Sequence, residues 1–201
     1  MVWPELVLIR DGLLVRPQLS VTYPIIEGLE NKIVQRRLNC MLLNSVNTMI
    51  KNQGYDPFYT EDMRGGYEVT LNERGLVSII LGNYTYLGGA KGLTLVRSVS
   101  FEVTEGRVFS LKDLFKPGAD YSKRLSKLVQ KQAEEDCVPL PKNKARIRVD
   151  HEFYLTPEEL VVYYQLSEVT SCEEGILYFS IPLADIRDLL GEESPLNRLL
   201  R

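Results

Sequence analysis

Catalysis by side chains needs a nucleophile, a base or a set of metal ligands, and this chain supplies few. It has one histidine, His151, flanked by Asp150 and Glu152. A zinc set of the Asp-His-His deacetylase type cannot be built from one histidine. A Ser-His-Asp triad would have to use His151, and no Gly-x-Ser-x-Gly turn exists to present the serine. A His-Cys pairing has no better support, so His151 reads as a surface or loop-packing residue. Glycosidase chemistry needs only two carboxyl groups a few ångströms apart. With 27 acidic residues such a pair stays open, but their spacing selects none. There is no Walker loop and no dinucleotide fingerprint; no cofactor is expected and no catalytic residue is assigned.

Residue types suited to binding gather instead in Tyr84-Thr-Tyr-Leu-Gly-Gly-Ala-Lys-Gly-Leu93. The candidates are Tyr84, Tyr86, Gly88, Gly89, Lys91 and Gly92. Tyrosines offer flat faces and hydroxyl groups, and a lysine can meet a carboxylate. The glycines can take positive φ and turn the chain sharply. Two readings stay open: the glycines are turn chemistry alone, or they let a backbone or ligand approach closely.

Strands must position this stretch. Leu76–Tyr86 and Leu93–Val103 are rich in residues that fit a pleated surface, and the glycines between them predict an antiparallel pair. Upstream, Leu6–Val15 holds Asp11-Gly12 between two apolar runs, a hairpin signal. Leu19–Tyr23 predicts a strand stopped by Pro24. Ile26–Asn52 is the longest helical pattern, with Leu29, Ile33, Val34, Leu38, Met41, Leu42, Val46 and Met49 near helical spacing and Gly54 suited to its end. Cys40 on it reads as a small buried hydrophobe. Tyr55–Gly66 reads as a polar loop, followed by a hairpin with Gly75 at its turn.

Downstream, Glu105-Gly106 predicts a turn, and Ser110-Leu-Lys-Asp113 opens a short helix that ends before Pro117. Asp120–Glu135 predicts a second long helix with Tyr121, Leu125, Leu128, Val129 and Gln132 on its inner face. Lys142, Lys144, Arg146 and Arg148 alternate, which on a strand puts all four on one face. Such a stripe suits an anionic polymer. An edge strand blunted by charge is the favoured reading, because no aromatic residues interleave for stacking. Phe153–Leu155 and Leu160–Tyr164 predict a last hairpin, Leu177–Ile181 a closing strand, and Pro182 the start of a helix over Leu183–Leu190. Glu192–Arg201 reads as a frayed tail or a docking segment. The sum is an α+β protein: an antiparallel twisted sheet of hairpins with two main helices packed on it.

The length of 201 residues suits one domain or two small ones. Hydrophobic and charged fractions of 44% and 25% are those of a soluble globular chain. A net charge of −3 argues against a general nucleic-acid binder. Cys40, Cys137 and Cys172 lack zinc spacing. A Cys137–Cys172 bridge is conceivable in an exported chain, with reduced thiols the default. No stretch approaches a membrane span, and the first residues lack the blocks of a signal peptide.

Tyr86-Leu-Gly-Gly-Ala-Lys-Gly92 resembles the Tyr-x-Gly-Gly-Ala-His-Gly signature of the RsiV-type anti-sigma-V-factor C-terminal domain family, a domain of unknown function. The order downstream is similar too: Phe101-Glu-Val-Thr-Glu-Gly106, Phe109-Ser-Leu-Lys-Asp-Leu-Phe115, a helix, Phe153-Tyr-Leu-Thr-Pro-Glu-Glu-Leu160, then Gly175 and Phe179-Ser-Ile-Pro182. The likeness covers Tyr84 to Leu190. Lys91 stands where that family usually has histidine, and Thr170–Glu174 replaces a Pro-Tyr-bearing turn. Val21-Thr-Tyr-Pro24 and the long helix resemble the companion domain found in peptidoglycan deacetylases of the PdaC type. The resemblance implies residues 1–83 as a PdaC-companion-like part and 84–201 as an RsiV-type domain, the two packed as one unit. It also implies a non-catalytic binding or sensor module of the cell envelope, since the anti-sigma relatives sense lysozyme through this domain. The expected ligand is a glycan or a protein such as lysozyme. A glycan-acting enzyme and a cytoplasmic protein-interaction domain are the alternatives. The compartment is cytoplasmic if Met1 is the native start and extracytoplasmic if an export segment precedes it.

Overall fold

The structure is a computed structural model that describes residues 6–89, 92–141, 145–170 and 174–200. The chain divides into two compact units, Met1–Val108 and Phe109–Arg201. The parts expected at 1–83 and 84–201 would meet inside a strand of the first unit.

That unit contains β1 (Leu8–Arg16), β2 (Leu19–Glu27), α1 (Lys32–Asn52), β3 (Asp62–Glu73), β4 (Leu76–Tyr86) and β5 (Leu93–Glu102). The strands form one sheet in chain order. The α+β class holds, but the sheet is not wholly antiparallel. β2 and β3 run parallel over Leu19–Val21 against Met63–Gly65, and α1 is the long crossover that a parallel neighbour requires.

The hairpin expected at Asp11-Gly12 lies elsewhere. β1 runs straight through both residues, and the turn is Pro17-Gln18, with Arg16 paired to Leu19 and Gln18 at φ 54°. Gly12 serves packing instead of turning. A Cβ there would lie 2.5 Å from the Tyr23 ring and 2.8 Å from Ile25 Cδ1. Gly12→Ala should therefore cost about 1–3 kcal/mol through overpacking, read as a lower urea midpoint with an unchanged slope.

Pro24 does not stop β2, which continues to Glu27. The Ile26 N–H turns away from the ladder to Asn39 Oδ1 at 2.7 Å. Pro24, two residues earlier, points its nitrogen the same way, so β1 loses no bond to it. Extension of β2 removes Ile26 from the helix. α1 begins at Lys32 because Asn31 Oδ1 accepts from the N–H groups of Ile33 and Val34 at 3.1 and 3.2 Å. Its buried stripe is Val34, Leu38, Leu42, Val46, Met49 and Ile50. Ile33 is 81% exposed, and Cys40 is an exposed free thiol; neither joins the buried stripe. Gly54, at φ 73°, follows the helix end as expected.

The stretch expected as a loop is strand from Asp62 onward. β3 and β4 meet through Arg74-Gly75, both at positive φ (52° and 73°), the geometry of a two-residue hairpin turn. The Glu105-Gly106 turn beyond β5 is held by Glu102, whose buried carboxylate accepts from the N–H groups of Thr104, Glu105 and Arg107 at 2.9, 2.8 and 3.1 Å.

The second unit opens with a 3₁₀ turn, Leu111–Leu114, entered through the Ser110 N–H donating to Asp113 Oδ2 at 2.8 Å. α2 (Tyr121–Glu135) follows, then β6 (Phe153–Leu155), β7 (Glu159–Tyr164) and β8 (Leu177–Pro182) in a three-stranded antiparallel sheet of that order. α2 buries Leu125, Val129 and Ala133. Leu128 and Gln132 of the expected inner face are only partly covered. The central strand β7 is buried on both faces, which explains its unbroken apolar run. The segment after β8 is 3₁₀ rather than α-helix over Leu183–Leu189. The tail docks: Pro195 and Leu196 are buried, and Ser194 Oγ donates to the Leu114 carbonyl. Of the alternating basic residues, Lys142 and Lys144 lie outside the described residues. Residues 145–148 form no strand, yet Ala145 and Ile147 are buried while Arg146 and Arg148 are exposed. Cys137 is a free, exposed thiol, and Cys172 lies outside the described residues.

Candidate functional site

Tyr84 and Tyr86 are two residues apart on β4 and so share one face. Asn83 and Thr85, on the other face, are buried. Tyr84 is 40% exposed and stands opposite Arg64 of β3 and Thr94 of β5. Its ring lies over Gly92, where a Cβ would come within 2.2 Å of it. The Tyr86 hydroxyl donates to the Gly89 carbonyl at 2.9 Å and accepts the Gly89 N–H at 3.3 Å. Gly88 and Gly89 both have positive φ (77° and 142°), and a Cβ on Gly88 would meet Glu61 Oε1 at 2.7 Å. Five of the six expected residues are thus brought together; Lys91 lies outside the described residues. The two tyrosines share the work. Tyr86 fixes the loop, and Tyr84 keeps an open face.

Two of the glycines make room for side chains of the protein itself: Gly92 admits the Tyr84 ring and Gly88 admits Glu61. Gly92→Val should displace that ring, and tyrosine ring NMR shifts will report it. An unchanged Tyr84 signal would mean that the loop yields instead.

Two further aromatic residues belong to this end of the sheet and were not singled out in the sequence. The Glu61 N–H donates to the Tyr86 carbonyl at 3.0 Å, which ties the α1–β3 loop beside the β4–β5 loop. That loop presents Phe58 and Tyr59 at 89% and 77% exposure. An aromatic pair after Pro57 in an otherwise polar loop was the available signal. Arg64 adds a cation, linked to Asp62 at 3.0 Å. The assembly is three exposed aromatic faces with one guanidinium at one sheet end.

His151 is the other place where chemistry was conceivable. It is 2% exposed, which settles the surface-or-packing alternative as packing. Its ring meets the Tyr164 ring edge-on at 4.7 Å. Neither imidazole nitrogen nor the Tyr164 hydroxyl has a hydrogen-bond partner among the described residues. Burial first, then the Arg148 guanidinium, push the His151 pKa down to about 4 against the opposing pull of Glu168, Glu152 and Asp150. Burial and Glu168 push the Tyr164 phenol up. Arg148 itself pairs with Glu168 at 2.8 Å. No serine or cysteine hydroxyl or thiol is bonded to His151, so the site offers no activated nucleophile among the described residues. Nor, among the described residues, do three of the types His, Cys, Asp and Glu converge there on a common point.

Residues 17–94 match the family model described as Deacetylase PdaC, and residues 112–184 match that of Protein of unknown function (DUF3298). The chain is similar to two families in tandem. The PdaC-type companion is therefore supported, and the downstream part matches a domain of unknown function. The structure resembles the crystal structure of a DUF3298 family member from Bacteroides fragilis NCTC 9343, at a TM-score of 0.71 and 14% identity, over 98% of each chain. It also resembles a DUF3298 family protein from Pseudomonas aeruginosa PAO1, at a TM-score of 0.61 and 17% identity, over 98% of this chain and 96% of that one. At such identities the likeness is one of fold. The Peptidoglycan-N-acetylmuramic acid deacetylase PdaC of Bacillus subtilis (strain 168) is 21% identical over 140 residues, which are 63% of this chain and 29% of that protein. The chain therefore spans under a third of the length of this curated relative. Among the described residues no helix is long and apolar enough to cross a membrane.

Proposed function

We propose that the protein is a non-catalytic binding module for a cell-envelope glycan, read by the aromatic end of the five-stranded sheet. The observation that carries this is the open Tyr84 face opposite Arg64, at the sheet end where the loop bearing exposed Phe58 and Tyr59 is tied to β4. Flat aromatic faces stack on sugar rings, and a guanidinium takes a carboxylate in two bonds. The surface belongs to the segment similar to PdaC, which is named for a peptidoglycan sugar, N-acetylmuramic acid. The finer reading, an RsiV-type sensor of a protein such as lysozyme, would use the same end of the sheet.

A thermal-shift titration with soluble peptidoglycan fragments tests the proposal, because a ligand of the native state raises the melting temperature with concentration. A saturable rise is expected. Tyr84→Ala should weaken it about tenfold, roughly 1.4 kcal/mol, with the unliganded melting temperature nearly unchanged. No rise at millimolar fragment overturns glycan binding and turns attention to lysozyme. Release of a modified sugar, abolished by a single Asp or Glu substitution, would instead identify a glycan-acting enzyme.

A further inference from the structure

We propose that the groove between α2 and residues 145–146 binds a linear polyol-phosphate chain. The groove holds about 580 Å³ and lies wholly in the second unit. Lys123, Lys127 and Lys131 line it at four-residue spacing. That spacing puts them on one helix face, each about 6 Å along the axis from the last. Among the described residues of the lining, Arg146 is a fourth cation, and Asp120 and Glu134 are the only carboxylates. All four cations are exposed. The protein as a whole carries a net charge of −3, so this excess of positive charge is local.

The cations are not absorbed by internal pairing. Lys123 reaches Asp120 only at 4.0 Å, and Lys131 reaches Glu135 at 3.6 Å. Exposed pairs of that kind hold their partners weakly. Lys127 has no ion pair among the described residues. The groove wall, in contrast, is fixed. Ser122 Oγ donates to the Ile147 carbonyl, and the Ile147 N–H donates to Ser126 Oγ at 2.9 Å. The serines therefore clamp the 145–147 strap to the helix and leave the lysines to face solvent. Gln130 directs its amide to Glu134 at 3.1 Å, and its own carbonyl oxygen is buried without a donor among the described residues.

Among the described residues the lining contains no aromatic side chain. It therefore offers no stacking platform for a base or a sugar ring, the feature that single-strand nucleic-acid grooves rely on. Evenly spaced point charges without rings fit a partner that is also evenly charged and ringless. Lysine binds phosphate as a point charge. An open-chain polyol joined by phosphodiesters has this chemistry, whereas nucleic acids and uronate polymers are built on rings.

Fluorescence anisotropy with a labelled poly(glycerol phosphate) oligomer tests this on the full chain. Binding at low salt should weaken as salt rises, with a log–log slope of about −2 to −3 for three or four phosphate contacts. The Lys123→Gln, Lys127→Gln, Lys131→Gln triple variant should lose at least about tenfold, while Lys51→Gln on α1 should lose nothing. The single Lys127→Gln change, at an exposed site, keeps the fold and should flatten the slope by about 0.7, one contact. Unchanged binding in the triple variant overturns the proposal, as does an unchanged slope for Lys127→Gln. Equal or tighter binding of oligothymidylate or hyaluronate of matched charge overturns the polyol assignment.

Discussion

Gln53→Leu should lower the unfolding free energy by about 3 kcal/mol. Gln53 sits at the end of α1 and is 5% exposed. Its Nε2 donates to the carbonyls of Asn83 and Leu93, each at 3.0 Å, and its Oε1 accepts from Asn83 Nδ2 at 2.6 Å. One side chain thus ties the helix end to β4 and to the start of β5. Leucine fills a similar volume but strands two carbonyls and an amide, each costing about 1–3 kcal/mol if left dry. Asn83 Oδ1 already lacks a donor among the described residues. Urea denaturation measures the loss. A change below about 0.5 kcal/mol would mean that water enters and satisfies the orphans. The network lies directly behind the Tyr84 face, so the variant should also weaken any ligand bound there.

Acidification should unfold the second unit in a way that His151 dominates. The folded-state pKa of about 4 lies below the ordinary value of 6.5. Above pH 6.5 the ring is neutral in both states and carries no penalty. As pH falls from 6.5 toward 4 the unfolded chain takes the proton first, and stability drops by up to about 1.4 kcal/mol per pH unit. Below pH 4 the folded state protonates too, and the loss levels off near 3 kcal/mol. The lost stability is therefore present above pH 6.5 and gone below 4. His151→Phe keeps an aromatic ring against Tyr164 and removes the titration. Urea midpoints at pH 7 and 4.5 should converge in that variant relative to the wild type, since the acidic residues contribute equally to both. Parallel midpoints for the two proteins would show that His151 is hydrated or rearranges on acidification.

How far the fold could be read before it was seen depended on the range of the controlling interactions. The β3–β4 and β6–β7 hairpins, α2, the capped turn at Ser110 and the Gly54 helix end follow from local chemistry: turn glycines, caps and a 3.6-residue period. The likeness of Val21-Thr-Tyr-Pro24 and the long helix to the PdaC-type companion likewise needed only sequence. The errors fall where distant residues decide. Asp11-Gly12 has the composition of a turn, but Gly12 is glycine because Tyr23 occupies its Cβ space, and Asp11 is engaged by the Tyr67 hydroxyl at 2.6 Å. Ile26 continues the helical period, yet Asn39 captures its N–H and keeps it in β2. The parallel β2–β3 contact is invisible in either strand alone.

The candidate sites divide in the same way. Residue types marked Tyr84 and Tyr86, but only the tertiary structure separated an open ring from one that pins its own loop, set Arg64 opposite Tyr84 and tied the loop of Phe58 and Tyr59 to the same sheet end. The basic residues after α2 were legible as charge; that Arg146 shares a groove with the α2 lysines was decided by two serines binding the Ile147 backbone. A sequence by itself determines which side chains exist and what each can do. Folding determines which of them remain unsatisfied at the surface, because burial and pairing consume most of that capacity before any ligand arrives.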